Sequence, residues 1–353
     1  MISPAQIEAR LTDYLGSPVQ RFAVLASGWE TTVFEFALRS AAAHFELPGQ
    51  RPLVLRFYHG SQAVSKGSRE YSVMSRLRSA GFPVPAPYML QTDAAVLGAP
   101  FLIMERLEGA PLLRLRSFPE ALRVFTLAFL PFVRLHIRLH RLTPGAIGLT
   151  SLQPAFGDGA AVDKPLLERL LATISERVQR GPLPWLEPAL CWARTEASRF
   201  TGADGSVLHM DYHPLNVLVR GGRISGVIDW VSAESGDRHL DVATTATILS
   251  CHAMENPHWL RDNAAGNSLR RLYGGLYVAL YHTLMPLDFA RLRYCQAVAA
   301  IMRLSTLGMM IGPGAESVGY RAEAAGDVTQ TVLQLLARYA ARKSKVPVTP
   351  PRP

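Results

Sequence analysis

The dipeptide Gly221-Gly222 constrains this chain more tightly than any other short feature. It separates two runs, Val217 to Arg220 and Arg223 to Ile228, and paired glycines between such runs signal a tight hairpin turn. A hairpin brings its outer ends together. The preceding loop, His209 to Asn216, and the residue that ends the second run, Asp229, are therefore expected to be neighbours, with Asp211, Asn216 and Asp229 converging on one point.

Two carboxylates and an amide oxygen form a hard, all-oxygen set suited to Mg²⁺, which keeps further sites for water and phosphate oxygens. That is a ligand set for phosphoryl transfer. With Asn216 and Asp229 on the metal, Asp211 is left to face an acceptor hydroxyl and take its proton. Read singly, Asp211 and Asn216 are equally turn caps around Pro214.

The rest of the chain divides by period. In the first hundred residues, "RFAVLASGWETTVFEFALRS" holds two apolar, β-branched and aromatic runs around a Ser27-Gly28-Trp29-Glu30 turn, and "PLVLRFY" is a third, so an antiparallel sheet is expected. "SKGSREYSVMSRLRSAG" places Tyr71, Met74, Leu77 and Arg78 at helical spacing and stops at Gly81. "FPVPAPYML" is an extended connector set by its prolines, and "PFLIMERLEG" a buried strand. Ahead of the sheet, "MISPAQIEARLTDYLG" does not read as a signal peptide; it predicts a helix with Ser3 as N-cap, Gln6 completing a capping box, and Ile7, Leu11, Tyr14 and Leu15 on one face.

From about residue 118 the pattern turns to long helical periods, including "PEALRVFTLAFLPFVRLHIRLHRL", "DKPLLERLLATISERVQR" and most of the chain past Asp241. The expected class is α+β with two lobes: an N-terminal sheet lobe over 1–104, a hinge at 105–110, a helical lobe over 111–342, and a solvated tail at 343–353. A ligand would sit in the cleft between the lobes.

At 353 residues and 48% apolar composition the chain can build sizeable cores. No uninterrupted apolar run reaches the roughly 18 residues of a membrane span, because Arg123, Pro131, Arg134 and Arg303 break the apolar segments. Three cysteines without CxxC spacing, Cys191, Cys251 and Cys295, suggest neither a disulfide framework nor a zinc site, and point to a cytoplasmic setting. The net charge of +9 is spread along the chain without the interleaved aromatic and basic residues of a nucleic-acid site.

The order His209-x-Asp211-x-x-x-x-Asn216, a hairpin, then Ile228-Asp229-Trp230 resembles the catalytic and metal loops of the aminoglycoside phosphotransferase family, relatives of choline and homoserine kinases. The family usually has glycine where this chain has Met210, and methionine fits if the loop backbone does not need positive φ there. Further likenesses follow in order over residues 22 to 250. "SGWETTVFEF" resembles the nucleotide-covering hairpin, with Ser27 and Gly28 beside the phosphates. "LVLRFY" resembles the strand that carries the phosphate-binding cation, here Arg56, where lysine is usual, and Glu70 the helix glutamate that pairs with it. "FLIMERLEG" resembles the hinge, with Met104 against adenine and the backbone near Glu105 and Leu107 meeting it. "LHRLTP" resembles a helix ending in Leu-His, and "GDRHLDVA" a segment in which Asp241 caps a helix and braces the catalytic loop.

The resemblance implies a protein-kinase-like fold, ATP or GTP with Mg²⁺ as cofactors, and a small-molecule hydroxyl acceptor; the charge and hydropathy patterns add the expectation of no nucleic acid or membrane partner. It makes His209 and His213 braces of the loop and Trp230 core packing. The bland readings are an ordinary hairpin turn at Gly28 and a surface ion pair for Arg56 and Glu70. Lys66 reaches the phosphates only if its loop folds inward. His136 and His140, four apart on a helix, form a possible zinc pair but lack a third ligand in sequence reach. Residues 251 to 353 hold six acidic and twelve basic residues, which disfavours a polycationic acceptor and suits a macrolide, a neutral sugar or nucleoside, or an anionic metabolite. A nucleotide-binding pseudokinase is the alternative from another class, suggested by Arg56 and the glycine-poor loop.

Overall fold

The structure, a computed structural model, describes residues 3–112, 118–156, 163–200, 202, 205–251 and 264–351. Helix α1, Pro4–Leu15, carries the expected capping box between Ser3 and Gln6, ends at Gly16 in the left-handed region, and buries Ile7, Leu11 and Leu15. Strands β1 (Val19–Ser27), β2 (Thr31–Leu38) and β3 (Pro52–Tyr58) follow, then helix α2 (Ala63–Ser79), β4 (Pro87–Gln91), the short α3 (Ala94–Leu97) and β5 (Phe101–Glu105). The five strands form one antiparallel sheet in the order β1-β2-β3-β5-β4.

Period-two alternation divides this sheet between two cores. Leu53, Leu55 and Phe57 of β3 join Phe101 and Ile103 in a cluster with α1 and α3. Val54 and Tyr58, with Leu102 and Met104, face the other way and belong to the large core that continues into the helical lobe. Arg56 shares that second face, so alternation alone aims it at the cleft. Strand β1 is apolar yet largely exposed, with Val24 at 56%, because it is the sheet's edge. The proline-rich connector differs from expectation in its second half, which pairs with β5 as β4; its prolines suit an edge.

After β5, Gly109 takes φ +125°, and an added Cβ would stand 2.6 Å from the Val219 carbonyl oxygen. Beyond it come β6 (Ala110–Pro111), α4 (Phe118–His140), α5 (Leu166–Arg180), α6 (Glu187–Ala197) and β7 (Ser206–Leu208). The expected hairpin is formed by β8 (Val217–Arg220) and β9 (Arg223–Val227), with Gly221 and Gly222 both at positive φ. Strand β10 (Glu234–Gly236) pairs with β7. Helices α7 (Arg238–Cys251), α8 (Ala264–Leu284), α9 (Phe289–Met309) and α10 (Gln330–Ser344) complete the lobe. Between α9 and α10 run a π turn, Met310–Gly314, and two 3-10 turns, Ala315–Val318 and Ala322–Asp327.

Two expectations need correction. The tail is not wholly frayed: Val348 is 8% exposed and joins the core, and Gln330 Nε2 donates to the Pro351 carbonyl at 3.2 Å, because an apolar residue there finds an uncovered part of the helical lobe. Residues 352 and 353 of that tail lie outside the described residues. Second, among the described residues one stretch, Phe289–Val318, is long and apolar enough to cross a membrane by length and composition, Arg303 notwithstanding. It is 72% buried in its most apolar window and forms the central helix of the lobe.

Candidate active site

The hairpin closes the loop before it onto the residue after it, as its geometry requires. Ile228 N–H donates to the Asn216 carbonyl at 2.9 Å, and Asn216 Nδ2 donates to the Asp211 backbone oxygen at 3.0 Å and to its Oδ2 at 3.3 Å. Because the amide nitrogen takes these contacts, the Asn216 side-chain oxygen is the atom left to meet a cation. His209 ties the two loops: its Nε2 donates to the Ile228 carbonyl at 3.1 Å, and its Nδ1 accepts the Asp211 N–H at 3.3 Å. His213 stands 3.4 Å from Asp211 Oδ2 and 3.2 Å from Asn216 Nδ2.

Asp241 holds the loop from His209 to Asn216 at its start. Its Oδ2 accepts the His209 N–H at 2.6 Å and its Oδ1 the Met210 N–H at 2.9 Å. The same carboxylate accepts Nε2 of His136 at 3.0 Å and of His140 at 3.1 Å, and the two Nδ1 atoms accept the hydroxyls of Tyr277 and Tyr281. Burial opposes the charge on Asp241, yet His136 and His140 hold its carboxyl well below the usual range. These three residues are grouped as metal ligands would be, but every ligand atom is already spent on a hydrogen bond, so the cluster is a brace. The helix-capping part of the expectation falls to Asp237 instead, whose Oδ1 accepts the His239 N–H in the first turn of α7.

Met210 sits at φ +62°. The loop does need the left-handed region at the position where glycine is usual, and a buried methionine occupies it with its N–H fixed by Asp241. Asp229 is also left-handed, at φ +67°. Its turn aims one carboxylate oxygen at Arg56, whose Nη2 donates to Oδ1 at 2.8 Å, and leaves the side chain 39% exposed to the cleft.

Arg56 is itself buried, with Nε 3.3 Å from Glu70 Oε2. Glu70 also accepts the Tyr58 hydroxyl at 2.6 Å and the Trp230 N–H at 3.1 Å. The pair expected from the sequence is thus an interior ion pair linked directly to Asp229. Burial disfavours the Arg56 charge, but Asp229 and Glu70 more than offset it and keep the guanidinium protonated. Trp230 is fully buried, edge-on to Phe82 and against His209.

These groups open on a cavity of about 540 Å³ between the lobes. Gly28, Arg56, Asp211, His213, Asn216 and Asp229 line it. Ser27, Glu70, Met104, Glu105, Leu107, His209 and Asp241 are not in its wall. Glu70 backs Arg56, Met104 lies in the large core, and Glu105 spends its N–H on the Ala86 carbonyl and its carboxylate on the Ala86 N–H and Arg78. Gly28 is not needed for its turn, since an added Cβ would meet only the Thr31 carbonyl at 3.8 Å. Lys66 is held by Glu30 at 3.4 Å and by the Gly319 carbonyl.

Several cavity residues escape the sequence. Arg303 of α9 donates to Asp211 Oδ1 at 2.8 Å, and Arg177 of α5 and Tyr320 share its wall. A single charged residue in the otherwise apolar second half of α9 was the available signal for Arg303. The turn between β1 and β2 is latched from the other lobe: Trp29 Nε1 donates to Asp327 Oδ2 at 2.8 Å, and Arg321 donates to the carbonyls of Trp29 and Gly28.

A small antiparallel lobe, a mainly helical lobe, and a cleft with an Asp-Asn-Asp set facing an arginine define a kinase-like phosphotransferase fold. The phosphotransferase enzyme family matches residues 22–282, and the chain belongs to that family. An APH(4)-Ia aminoglycoside phosphotransferase mutant, solved as a ternary complex with AMP-PNP and hygromycin B, superposes with a TM-score of 0.62 at 18% identity, covering 96% of this chain and 98% of that one. Among curated proteins, probable acyl-CoA dehydrogenase IBR3 of Arabidopsis thaliana is 29% identical over 203 residues, which is 52% of this chain and 23% of that protein. Acyl-CoA dehydrogenase family member 11 of Gallus gallus is 25% identical over 183 residues, 50% of this chain and 22% of that protein. The chain thus spans under a quarter of the length of the curated relatives it matches.

Proposed function

We propose that the protein is a small-molecule kinase that transfers the γ-phosphoryl group of ATP or GTP to an alcohol, with Mg²⁺. The observation that carries this reading is the convergence of Asp211, Asn216 and Asp229 on one cavity wall with Arg56 bound to Asp229. The donor set fits the metal: among the described residues no hydrogen bond falls on the Asn216 amide oxygen, and Asp229 has a carboxylate oxygen beyond the one that Arg56 holds. Bound there, Mg²⁺ supplies charge neutralisation to the phosphates.

The chain's own residues do the rest. Arg56 offsets phosphate charge with a guanidinium that Glu70 orients. Asp211 faces the acceptor as a carboxylate: burial raises its proton affinity, but His213 and Arg303 lower it further than burial raises it. So weak a base orients the hydroxyl first and accepts its proton late, as the acceptor oxygen bonds to phosphorus and the bond to the leaving nucleoside diphosphate breaks. His209 and Asp241 keep the loop in place. The dehydrogenase names belong to relatives matched over too little of their length to give a reading here.

The pairing of Asp211 with Arg303 also suits a second reading, a nucleotide-binding pseudokinase. Mg²⁺-dependent ADP or GDP formation, measured over a panel of aminoglycosides, macrolides, nucleosides, amino alcohols and sugars, separates the two. Acceptor-stimulated turnover that Asp211→Asn lowers by about a hundredfold or more supports the kinase. Tight Mg²⁺-nucleotide binding without turnover on any acceptor favours the pseudokinase.

A further inference from the structure

Residues of α5, α7 and α9 line the cavity as well, and they combine apolar surface with two cations. Leu170, Ile248, Val298, Met302 and Leu307 supply apolar surface, and Arg177 and Arg303 supply the charge. The two arginines share one wall: Arg177 Nη1 donates to Thr306 Oγ1 at 2.7 Å, and Thr306 stands three residues beyond Arg303 on α9. The Tyr320 hydroxyl lies in the field of Glu30, of both guanidiniums and of Asp211.

Their charges are unequally answered. Arg303 is paired with Asp211 at 2.8 Å, while its buried Nε has no hydrogen-bond partner among the described residues. Arg177 has the Thr306 hydroxyl and, at 3.5 Å, the Met302 sulfur; among the described residues no carboxylate forms an ion pair with it. Burial works against its charge. Tyr320 and the carboxylates of Glu176 and Glu30, none of them paired with it, offset that only in part, and a part-buried guanidinium without a contacting carboxylate gains from an anion that completes its environment. The phosphate end of the cleft already has Arg56, so the second pair of cations is surplus to the nucleotide and faces the acceptor.

We propose that Arg177 and Arg303 form an oxyanion subsite for the acceptor, so that the preferred acceptor is a small alcohol with an apolar body and one carboxylate or phosphate. This rests on the kinase reading for its direction, since Asp211 marks where the hydroxyl goes. An acceptor anion shared between Arg177 and Arg303 draws Arg303 from Asp211 Oδ1 and leaves that oxygen for the hydroxyl. Polycationic sugars are repelled by the same two groups.

The test is calorimetric binding to the full chain, with and without Mg²⁺ and AMP-PNP, using two matched pairs. These are 3-phenyllactate against its neutral amide, and glucose 6-phosphate against glucose. In at least one pair the acid is expected to bind about tenfold or more tightly than its neutral partner, a preference that Arg177→Gln erases and Arg177→Lys partly keeps. Whichever pair shows it identifies carboxylate or phosphate as the source. Equal affinity within both pairs, no binding by any of the four, or a preference that survives Arg177→Gln overturns the subsite. So does a loss in Arg177→Gln confined to AMP-PNP affinity, which would assign the arginine to the nucleotide. ADP release is read separately, so absent turnover with an intact charge preference removes the kinase reading and leaves the subsite standing.

Discussion

Asp241 Oδ1 accepts the backbone N–H of Met210 at 2.9 Å and so pins a non-glycine residue at φ +62°. The left-handed region costs a residue with a Cβ about 1–2 kcal/mol, whereas burying a methionine side chain contributes about 1.5–3 kcal/mol. Met210→Gly relieves the first and forfeits the second. The expected net loss is about 1 kcal/mol in urea unfolding, with the loop geometry kept because Asp241 binds backbone groups. A gain in stability would show that strain outweighs packing at this position.

The ion pair under the cleft is expected to behave as an interior one. Arg56→Met leaves Glu70 buried opposite an apolar group and should cost about 3–5 kcal/mol. Adding Glu70→Gln removes the stranded charge and should recover part of that loss, since the amide oxygen can still accept the Trp230 N–H and the amide nitrogen can donate to the Tyr58 hydroxyl. Chemical denaturation of the two variants measures both; equal instability of single and double mutant would contradict the pairing.

Acid should weaken the brace behind the loop. Burial, with His140 adding to it, pushes the His136 imidazole down to about 3. The unfolded chain binds a proton near pH 6.5 and the folded one does not until about pH 3, so stability is complete above 6.5 and falls as pH drops through that window. The slope is up to about 1.4 kcal/mol per pH unit for this one group. Asp241, held well below the usual range, adds a loss in the same direction at lower pH. Thermal unfolding between pH 7.5 and 4.5 reads the sum, and His136→Gln should flatten it if the variant folds.

The latch between Trp29 and Asp327 predicts a local effect. Asp327→Ala removes the 2.8 Å bond to the indole N–H, and amide hydrogen exchange at residues 28–31 should quicken by about fivefold, the equivalent of one hydrogen bond near 1 kcal/mol. Global stability should move by no more than about 0.5 kcal/mol. Unchanged exchange at the turn would mean that Arg321 holds it alone.

Much of the site was legible because its parts are close in sequence. A two-residue Gly-Gly turn fixes register, and register forces Asn216 beside Ile228 and so brings Asp229 to the loop whatever the rest of the chain does. Period-two alternation along "PLVLRFY" likewise aims Arg56 away from Leu55 and Phe57. Four strands of the sheet, the α2 helix and the switch to long helices followed from the same short-range rules, whereas β4 was hidden in the proline-rich connector. Other features depended on packing between elements far apart in the chain. Arg303 meets Asp211 across 92 positions, Trp29 meets Asp327 across 298, and Arg177 reaches the cavity only through the angle at which α5 lies on α9. Hydrophobic periodicity tells which face of a helix is buried but not what that face will meet. The sequence by itself therefore determined the lobes, the hairpin and the aspartate-asparagine set, and the tertiary structure alone decided the positive φ at Met210, the carboxylate shared by two histidines, and the presence of Arg177 and Arg303 in the cavity wall.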